Sequence, residues 1–125
     1  MKTIIQTPNA PSPIGPYSQA VLVENTLYVS GQIAIHPQTS ELILADIKSE
    51  TTQVMENIKA ILEESKMDFE NIVKTSIFLL DMNNFATVNE VYGSYFSKNF
   101  PARETVQVSK LPKNVNVEMS VIAVR

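Results

Sequence analysis

The segment Ile72-Val73-Lys74-Thr75-Ser76-Ile77-Phe78-Leu79-Leu80 decides how the rest of the chain is interpreted. It is rich in β-branched and apolar residues, and it is too short and too apolar on both sides to be a surface helix. It therefore predicts a strand that is covered on both faces and lies near the centre of a sheet.

A helix is predicted on each side of this strand. The first can be capped by Asp46 or Ser49 and runs for about five turns. Its apolar stripe is Ile47, Thr51, Val54, Ile58, Ile61 and Leu62. The second begins at Asn83 or Asn84 and continues until Pro101 stops it. Its stripe is Phe85, Val88, Tyr92, Tyr95 and Phe96.

Pairs of strands are predicted at both ends of this pattern. Residues 20–23 and 26–35 favour a hairpin joined by Glu24-Asn25, where Asn tolerates positive φ. Residues 105–108 and 116–124 favour two closing strands. The order ββ-α-β-α-ββ is typical of an α+β domain with a mixed sheet and helices on one face.

The first sixteen residues contain four prolines, which predict an extended, non-helical lead on the surface. No repeat or linker divides the chain, so residues 1–125 are expected to form a single domain. Both alternating faces of the last strand are largely apolar, although two helices can cover only one face of the sheet. A second copy of the chain is the simplest cover for the other face, so we expect a homo-oligomer.

Composition excludes several classes of function. The net charge is -3 and the basic residues are scattered, which argues against nucleic acid and membrane surfaces as partners. There is no cysteine, and His36 is the only histidine, so neither a thiol nucleophile nor a multi-histidine metal centre is expected; a carboxylate-only magnesium site stays open. No secretory signal or membrane-spanning run is recognisable, and we expect a cytoplasmic protein.

Two charged residues lie on predicted strands, where an ionised group is costly unless it is paired or used. Arg103, in Pro101-Ala102-Arg103-Glu104-Thr105, offers a fork of donors that fits a carboxylate. Glu118, in the last strand, could hold a water molecule and move a proton. The structural alternatives are an ion pair of Arg103 with Glu104 or Glu118, and a solvent-facing Glu118 on an edge strand. Arg103 and Glu118 share a face only in one strand register, which the sequence does not fix.

Weaker candidates surround this pair. Tyr17 follows the stiff turn Gly15-Pro16 and could present its hydroxyl to a ligand, although packing is the favoured explanation from local sequence alone. Gly31, after Ser30, indicates either a bulge or a close approach of the backbone to a ligand. Asn89 lies off the apolar stripe of its helix, where exposure to solvent is the default.

Phosphate-binding loops, nucleophile elbows and zinc-protease motifs are absent from the sequence. Any reaction would therefore rely on oxygen, amide and guanidinium groups, which suits the hydration of a molecule that is already electrophilic.

The quoted segments also carry a resemblance. Five segments resemble, in order and spacing, the RidA (YjgF-type) imine deaminase family. They are Ile14-Gly15-Pro16-Tyr17-Ser18-Gln19-Ala20, Val29-Ser30-Gly31-Gln32-Ile33, Phe85-Ala86-Thr87-Val88-Asn89, Pro101-Ala102-Arg103 and Val117-Glu118. The similarity spans essentially the whole chain. It implies a chorismate-mutase-like α+β fold with a mixed six-stranded sheet. It also implies a homotrimer with an inner β-barrel and three clefts between subunits.

The resemblance further implies a reaction. The substrates would be 2-iminobutanoate and 2-iminopropanoate, in equilibrium with their enamines, released by pyridoxal-phosphate dehydratases. The products would be 2-oxo acids and ammonia, and the enzyme itself would need no cofactor. Arg103 would bind the substrate carboxylate and Glu118 would orient or deprotonate the attacking water. The other cleft residues would be Tyr17, Ser30, Gly31, Asn89 and Thr105, the last at a position where many relatives carry cysteine.

Two other functions remain open. A trimer that binds small carboxylates without turning them over, as a sensor or chaperone-like regulator, would use the same cleft. Ribonuclease activity has been ascribed to some members of the resembled family, but the acidic net charge and the single histidine argue against it.

Overall fold

A computed structural model describes all 125 residues of the chain. It contains six strands and two main helices: β1 (Lys2–Ile5), β2 (Ala20–Val23), β3 (Thr26–Gln32), α1 (Ile47–Glu64), β4 (Ile72–Leu79), α2 (Phe85–Gly93), β5 (Ala102–Gln107) and β6 (Val117–Val124). The strands form one sheet in the order β1-β2-β3-β6-β4-β5. Only the β4–β5 pair is parallel. The predicted mixed six-stranded α+β fold is confirmed.

The predicted helix α1 is confirmed, and Asp46 rather than Ser49 caps it. Asp46 Oδ1 accepts a hydrogen bond from the Ser49 backbone N–H at 2.7 Å, which satisfies one of the free donors of the first turn. The apolar stripe of α1 is buried against the sheet, with Val54, Ile58 and Ile61 fully inaccessible to solvent. Burial of each such side chain contributes about 1.5–3 kcal/mol, so the stripe anchors α1 to the sheet.

Helix α2 is shorter than predicted. It ends at Gly93, and Tyr95 and Phe96 lie in a turn beyond it, where their backbone N–H groups bond to Tyr92 and Gly93. Phe96 packs against the ring of Tyr92, with ring centroids 4.9 Å apart. This aromatic packing, rather than continuation of the helix, explains why the apolar spacing persists towards Pro101.

Two strands also differ from their predictions. The lead is extended, as predicted, but Lys2–Ile5 within it forms β1, the edge strand that the sequence pattern did not distinguish. β3 ends at Gln32, three residues earlier than predicted, and its register with β6 shifts between Val29 and Gln32. In the turn that joins β2 to β3, Glu24 rather than Asn25 adopts positive φ, at 54°.

The two faces of the sheet differ in cover. Odd-numbered residues of β6 face the helices and are buried, whereas the even-numbered residues face away and are partly exposed. Exposed apolar side chains on this uncovered face include Tyr28, Val106 and Val124. The predicted uncovered sheet face is therefore present. None of the helices is both long and apolar enough to cross a bilayer.

Candidate functional site

Arg103 lies on the helix-facing side of the sheet, at the start of the edge strand β5. Its backbone pairs with Thr75 of β4, a fully buried residue. Arg103 Nη1 donates to Asn89 Oδ1 on α2 at 2.6 Å, and the guanidinium lies over the rings of Phe85 and Tyr92, at 5.7 and 5.3 Å from their centroids. The planar cation is thus held by one amide and two aromatic faces.

No acidic side chain of the same protomer forms an ion pair with Arg103. The only salt bridge of the chain joins Lys74 to Glu104, with Nζ and Oε1 3.0 Å apart, and Glu104 also accepts a hydrogen bond from Ser76. Within one protomer, the structure therefore contradicts the alternative in which Arg103 forms an ion pair with Glu104 or Glu118. Arg103 borders an open hollow of about 350 Å³, where its remaining N–H groups can donate to a carboxylate.

Glu118 occupies a different position, on the face of the sheet that the helices leave uncovered. β6 is an interior strand between β3 and β4, so the alternative of an edge-strand glutamate is wrong. The carboxyl group lies over the bulge in β3. A Cβ placed on Gly31 would overlap Glu118 Oε2 and come within 2.9 Å of Glu118 Cδ. Gly31 is therefore explained by the close approach of a side chain rather than by its backbone angles.

The carboxyl group of Glu118 is half-buried at a cavity of about 320 Å³. No hydrogen-bond donor of the protein satisfies it within the protomer. Burial raises the pKa of Glu118 above its ordinary value, because the charged form loses hydration. A carboxyl group with an elevated pKa and free lone pairs can bind water and exchange a proton with it.

The proline-rich lead forms one wall of this cavity. Buried Gln19 fixes the lead, because its amide donates to the carbonyls of Thr7, Ala10 and Pro11 and accepts from the Thr7 backbone N–H. Tyr17 also lines the cavity, and its hydroxyl accepts from the Ile14 N–H at 3.3 Å.

Ser30 lines the cavity too, but its hydroxyl is already engaged by the Ser18 carbonyl at 2.5 Å. The structure therefore brings Tyr17, Ser30, Gly31 and Glu118 together.

The remaining predicted site residues lie elsewhere in the protomer. Arg103 and Asn89 are in contact at the hollow beside α2. Glu118 pairs with Phe78 of β4, and Phe78 pairs with Val106, so Glu118 and Arg103 have opposite parity in the sheet. One protomer therefore holds the guanidinium and the carboxyl group on opposite faces.

Thr105 has the same parity as Arg103, and its backbone pairs with Ile77. Its hydroxyl is shielded from solvent and has no hydrogen-bond partner in the protomer, which is rare for a buried polar atom. A ligand, a water molecule or another copy of the chain would satisfy it.

Sequence reasoning missed several residues that shape these sites. Phe85 and Tyr92 were assigned to the core stripe of α2, yet both rings contact the Arg103 guanidinium. Their seven-residue spacing, which puts them on one helix face, was the available signal. Ile33, Ile35 and Pro112 line the cavity of Glu118. No three His, Cys, Asp or Glu side chains lie close enough together to share a metal ion.

Comparison with known proteins gives consistent matches over the whole chain. The family described as Endoribonuclease L-PSP matches residues 7–125. A RutC family protein of Pyrococcus horikoshii is 52% identical over 123 residues, 98% of each chain. The 2-iminobutanoate/2-iminopropanoate deaminase of Homo sapiens is 45% identical over 125 residues, covering 100% of this chain and 91% of the human one. Among solved structures, E. coli TdcF with bound serine superposes with a TM-score of 0.95 at 42% identity, covering 98% of each chain.

Proposed function

Because the chain belongs to the Endoribonuclease L-PSP family, which includes the YjgF/RidA proteins, we propose that it hydrolyses 2-imino acids to 2-oxo acids and ammonia. The substrates proposed are 2-iminobutanoate and 2-iminopropanoate, with their enamine tautomers. The observation that carries the proposal is an Arg103 guanidinium that is fixed by Asn89 and has no acidic partner. The deaminase name of the human relative and the serine bound to TdcF, a small molecule with a carboxylate, support it.

In the proposed mechanism Arg103 binds the substrate carboxylate through two parallel hydrogen bonds. The Asn89 amide and the rings of Phe85 and Tyr92 hold the guanidinium plane in place, so little freedom is lost when the substrate binds. The carboxylate is attached to the carbon of the imine, so fixing it also places that carbon. Arg103 thereby determines where water must attack.

Glu118 is proposed to supply the proton transfers. Its ionised carboxylate accepts a proton from water as the water oxygen bonds to the carbon of the protonated imine and the π electrons move to nitrogen, which gives a neutral carbinolamine. Glu118 then returns that proton to the amino nitrogen. The C–N bond breaks with its electron pair leaving on ammonia, and the hydroxyl proton passes through Glu118 to solvent as the carbonyl of the 2-oxo acid forms. The raised pKa of Glu118, caused by burial, makes its carboxylate a better proton acceptor than that of an ordinary glutamate.

The site we propose is shared between two protomers. Arg103 and Glu118 lie on opposite faces of the sheet within one chain, and the uncovered face that carries Glu118 is also apolar enough to be an interface. In a cyclic trimer, Arg103 of one protomer can meet Glu118 of its neighbour, which gives three equivalent clefts.

Mixing two inactive variants tests this arrangement. Arg103→Ala retains Glu118, and Glu118→Gln retains Arg103, so a trimer containing both has one cleft with both groups intact. When equal amounts are refolded together, about three quarters of the randomly assembled trimers contain both variants, and each of these has one intact cleft out of three. The mixture should therefore regain about a quarter of wild-type activity. A mixture as inactive as its two components would refute the shared site.

The assay is the release of ammonia or 2-oxobutanoate from freshly generated 2-iminobutanoate, corrected for spontaneous hydrolysis. Arg103→Lys retains the charge but loses the planar fork, so it should raise KM. Wild-type activity in Arg103→Ala would refute the proposed function.

A binding trimer without turnover is the second candidate, since Arg103 alone could retain a small carboxylate. The unsatisfied, half-buried Glu118 favours the enzyme, because a carboxyl group facing an anionic ligand weakens simple binding. Under the binding alternative, Glu118→Gln would bind 2-oxobutanoate at least as well as wild type and there would be no turnover to lose.

The family description also names an endoribonuclease. His36 is the only histidine, and its Nδ1 accepts hydrogen bonds from the backbone N–H groups of Gln38 and Thr39. Neither cavity that carries the candidate site contains it. RNA cleavage that survives repurification and is lost in Glu118→Gln would support this function instead.

A further inference from the structure

Helix α1 contains two fully buried polar side chains that face strand ends rather than solvent. Glu50 and Asn57 are both 0% exposed and are seven residues apart, which places them on the same face of the helix two turns apart. Neither residue contacts Arg103 or Glu118 directly, and neither belongs to the site described above. Their hydrogen bonds show what they hold.

Glu50 binds the chain immediately before Glu118. Its Oε2 accepts from the backbone N–H groups of Asn116 and Val117, at 2.7 and 3.2 Å, and its Oε1 accepts from Asn116 Nδ2 at 2.8 Å. Three donors and no cation surround this carboxylate. The bonds fix where β6 begins and therefore where Glu118, its second residue, projects.

Asn57 binds a second segment that lines the same cavity. Its Nδ2 donates to the carbonyls of Ile33 and Ile35, each at 3.1 Å, and its Oδ1 accepts from Gln53 Nε2 at 2.9 Å. Ile33 and Ile35 both line the cavity and follow directly after the bulge on which Glu118 rests.

One helix therefore holds two of the segments that shape the cavity. Burying a charged group and an amide is costly, and apolar side chains would attach α1 to the sheet at lower cost but without fixing the backbone at specific atoms. We infer that Glu50 and Asn57 are positioning residues, which set the distance between the Glu118 carboxyl group and the substrate bound at Arg103. This inference rests on the proposed function.

The kinetic test separates positioning from binding. Glu50→Ala and Asn57→Ala should each lower kcat about 10- to 100-fold, because a misplacement near 1 Å has that effect, while KM stays within about threefold. KM should be retained because Arg103 lies beside α2, away from these bonds. Asn57→Ala is the gentler change, since water can donate to the two carbonyls, and it decides the test if Glu50→Ala does not fold.

Two further variants serve as comparisons. Glu50→Gln should keep kcat within about threefold of wild type. The Gln oxygen can accept hydrogen bonds from the backbone N–H groups of Asn116 and Val117, and the Gln amide can donate to Asn116 Oδ1 once the Asn116 side-chain amide is flipped. Thr51→Val is the matched control: Thr51 is equally buried on α1, but its hydroxyl bonds only to the Ile47 carbonyl within the helix, at 2.7 Å. Its kcat should be unchanged.

A spectroscopic measurement keeps the inference independent of turnover. The titration of Glu118, followed by carbon NMR, should shift towards an ordinary pKa in Glu50→Ala and Asn57→Ala, because a loosened cavity admits water. Tyr17 is the only other titratable residue that lines this cavity. Wild-type kcat, or an unshifted Glu118 titration, in the folded Ala variants would overturn the inference. A wild-type protein that releases no ammonia would overturn the proposed function, and the titration would then decide the positioning alone.

Discussion

Adding one methyl group at Gly31 should separate catalysis from stability. In Gly31→Ala the new Cβ would overlap Glu118 Oε2 and lie 2.9 Å from Glu118 Cδ, whereas ordinary carbon contacts begin near 3.4 Å. The carboxyl group must therefore withdraw by at least about 0.5 Å from its position. The φ of Gly31 is not positive, so alanine is compatible with the backbone, and the carboxyl group is the movable end of its side chain.

We expect kcat for 2-iminobutanoate to fall about 10- to 100-fold in Gly31→Ala, since small displacements of a catalytic group have effects of this size. The free energy of unfolding, measured in urea, should change by less than about 1 kcal/mol. The matched background is Glu118→Asp, whose carboxyl group is one methylene shorter and lacks the Oε2 position at which the overlap is most severe. There the same substitution should change kcat less than about threefold. Equal losses in both backgrounds would refute the steric argument.

Three further predictions concern the same groups. Burial raises the pKa of Glu118, so its contribution to the stability of the folded state is complete at acid pH and is lost as pH rises through that elevated pKa. The melting temperature of Glu118→Gln should therefore rise relative to wild type as pH increases. Melting temperatures that change in parallel with pH would contradict this. Asn89→Asp should place a carboxylate against Arg103 and raise KM about 10-fold or more in steady-state assays; an unchanged KM would count against the role of Arg103. Thr105→Val should stabilise the isolated protomer by about 1 kcal/mol in urea titrations, because an unpartnered hydroxyl is removed. A lower free energy of unfolding in this variant would show that the hydroxyl has a partner in the assembly.

Local patterns were sufficient to predict most of the fold. The periodicity of α1 and the apolar run of β4 reflect short-range physics, namely which faces must be buried. The strand β1 was missed because four residues at a sheet edge carry no clear alternation. The end of α2 was misplaced because Tyr95 and Phe96 keep helical spacing while packing in an aromatic cluster beyond the helix.

The candidate site was less predictable, because it depends on contacts between distant segments. Sequence reasoning selected Arg103 and Glu118 from the cost of charge on strands, but their relative parity follows from the pairing of both strands with β4. The close contact between Glu118 and Gly31 follows from a register shift between β3 and β6. Neither register is encoded in a local motif.

The placement of the guanidinium and the carboxyl group on opposite sides of one sheet has an evolutionary consequence. Under the proposed assembly, a duplicated gene whose product has lost Arg103 still donates a working Glu118 to a neighbouring chain. Paralogous chains in one mixed trimer can then divide carboxylate binding and proton transfer between them, and each gene evolves under its own selection. Inheritance of both genes, rather than integrity of either one, would then maintain the reaction.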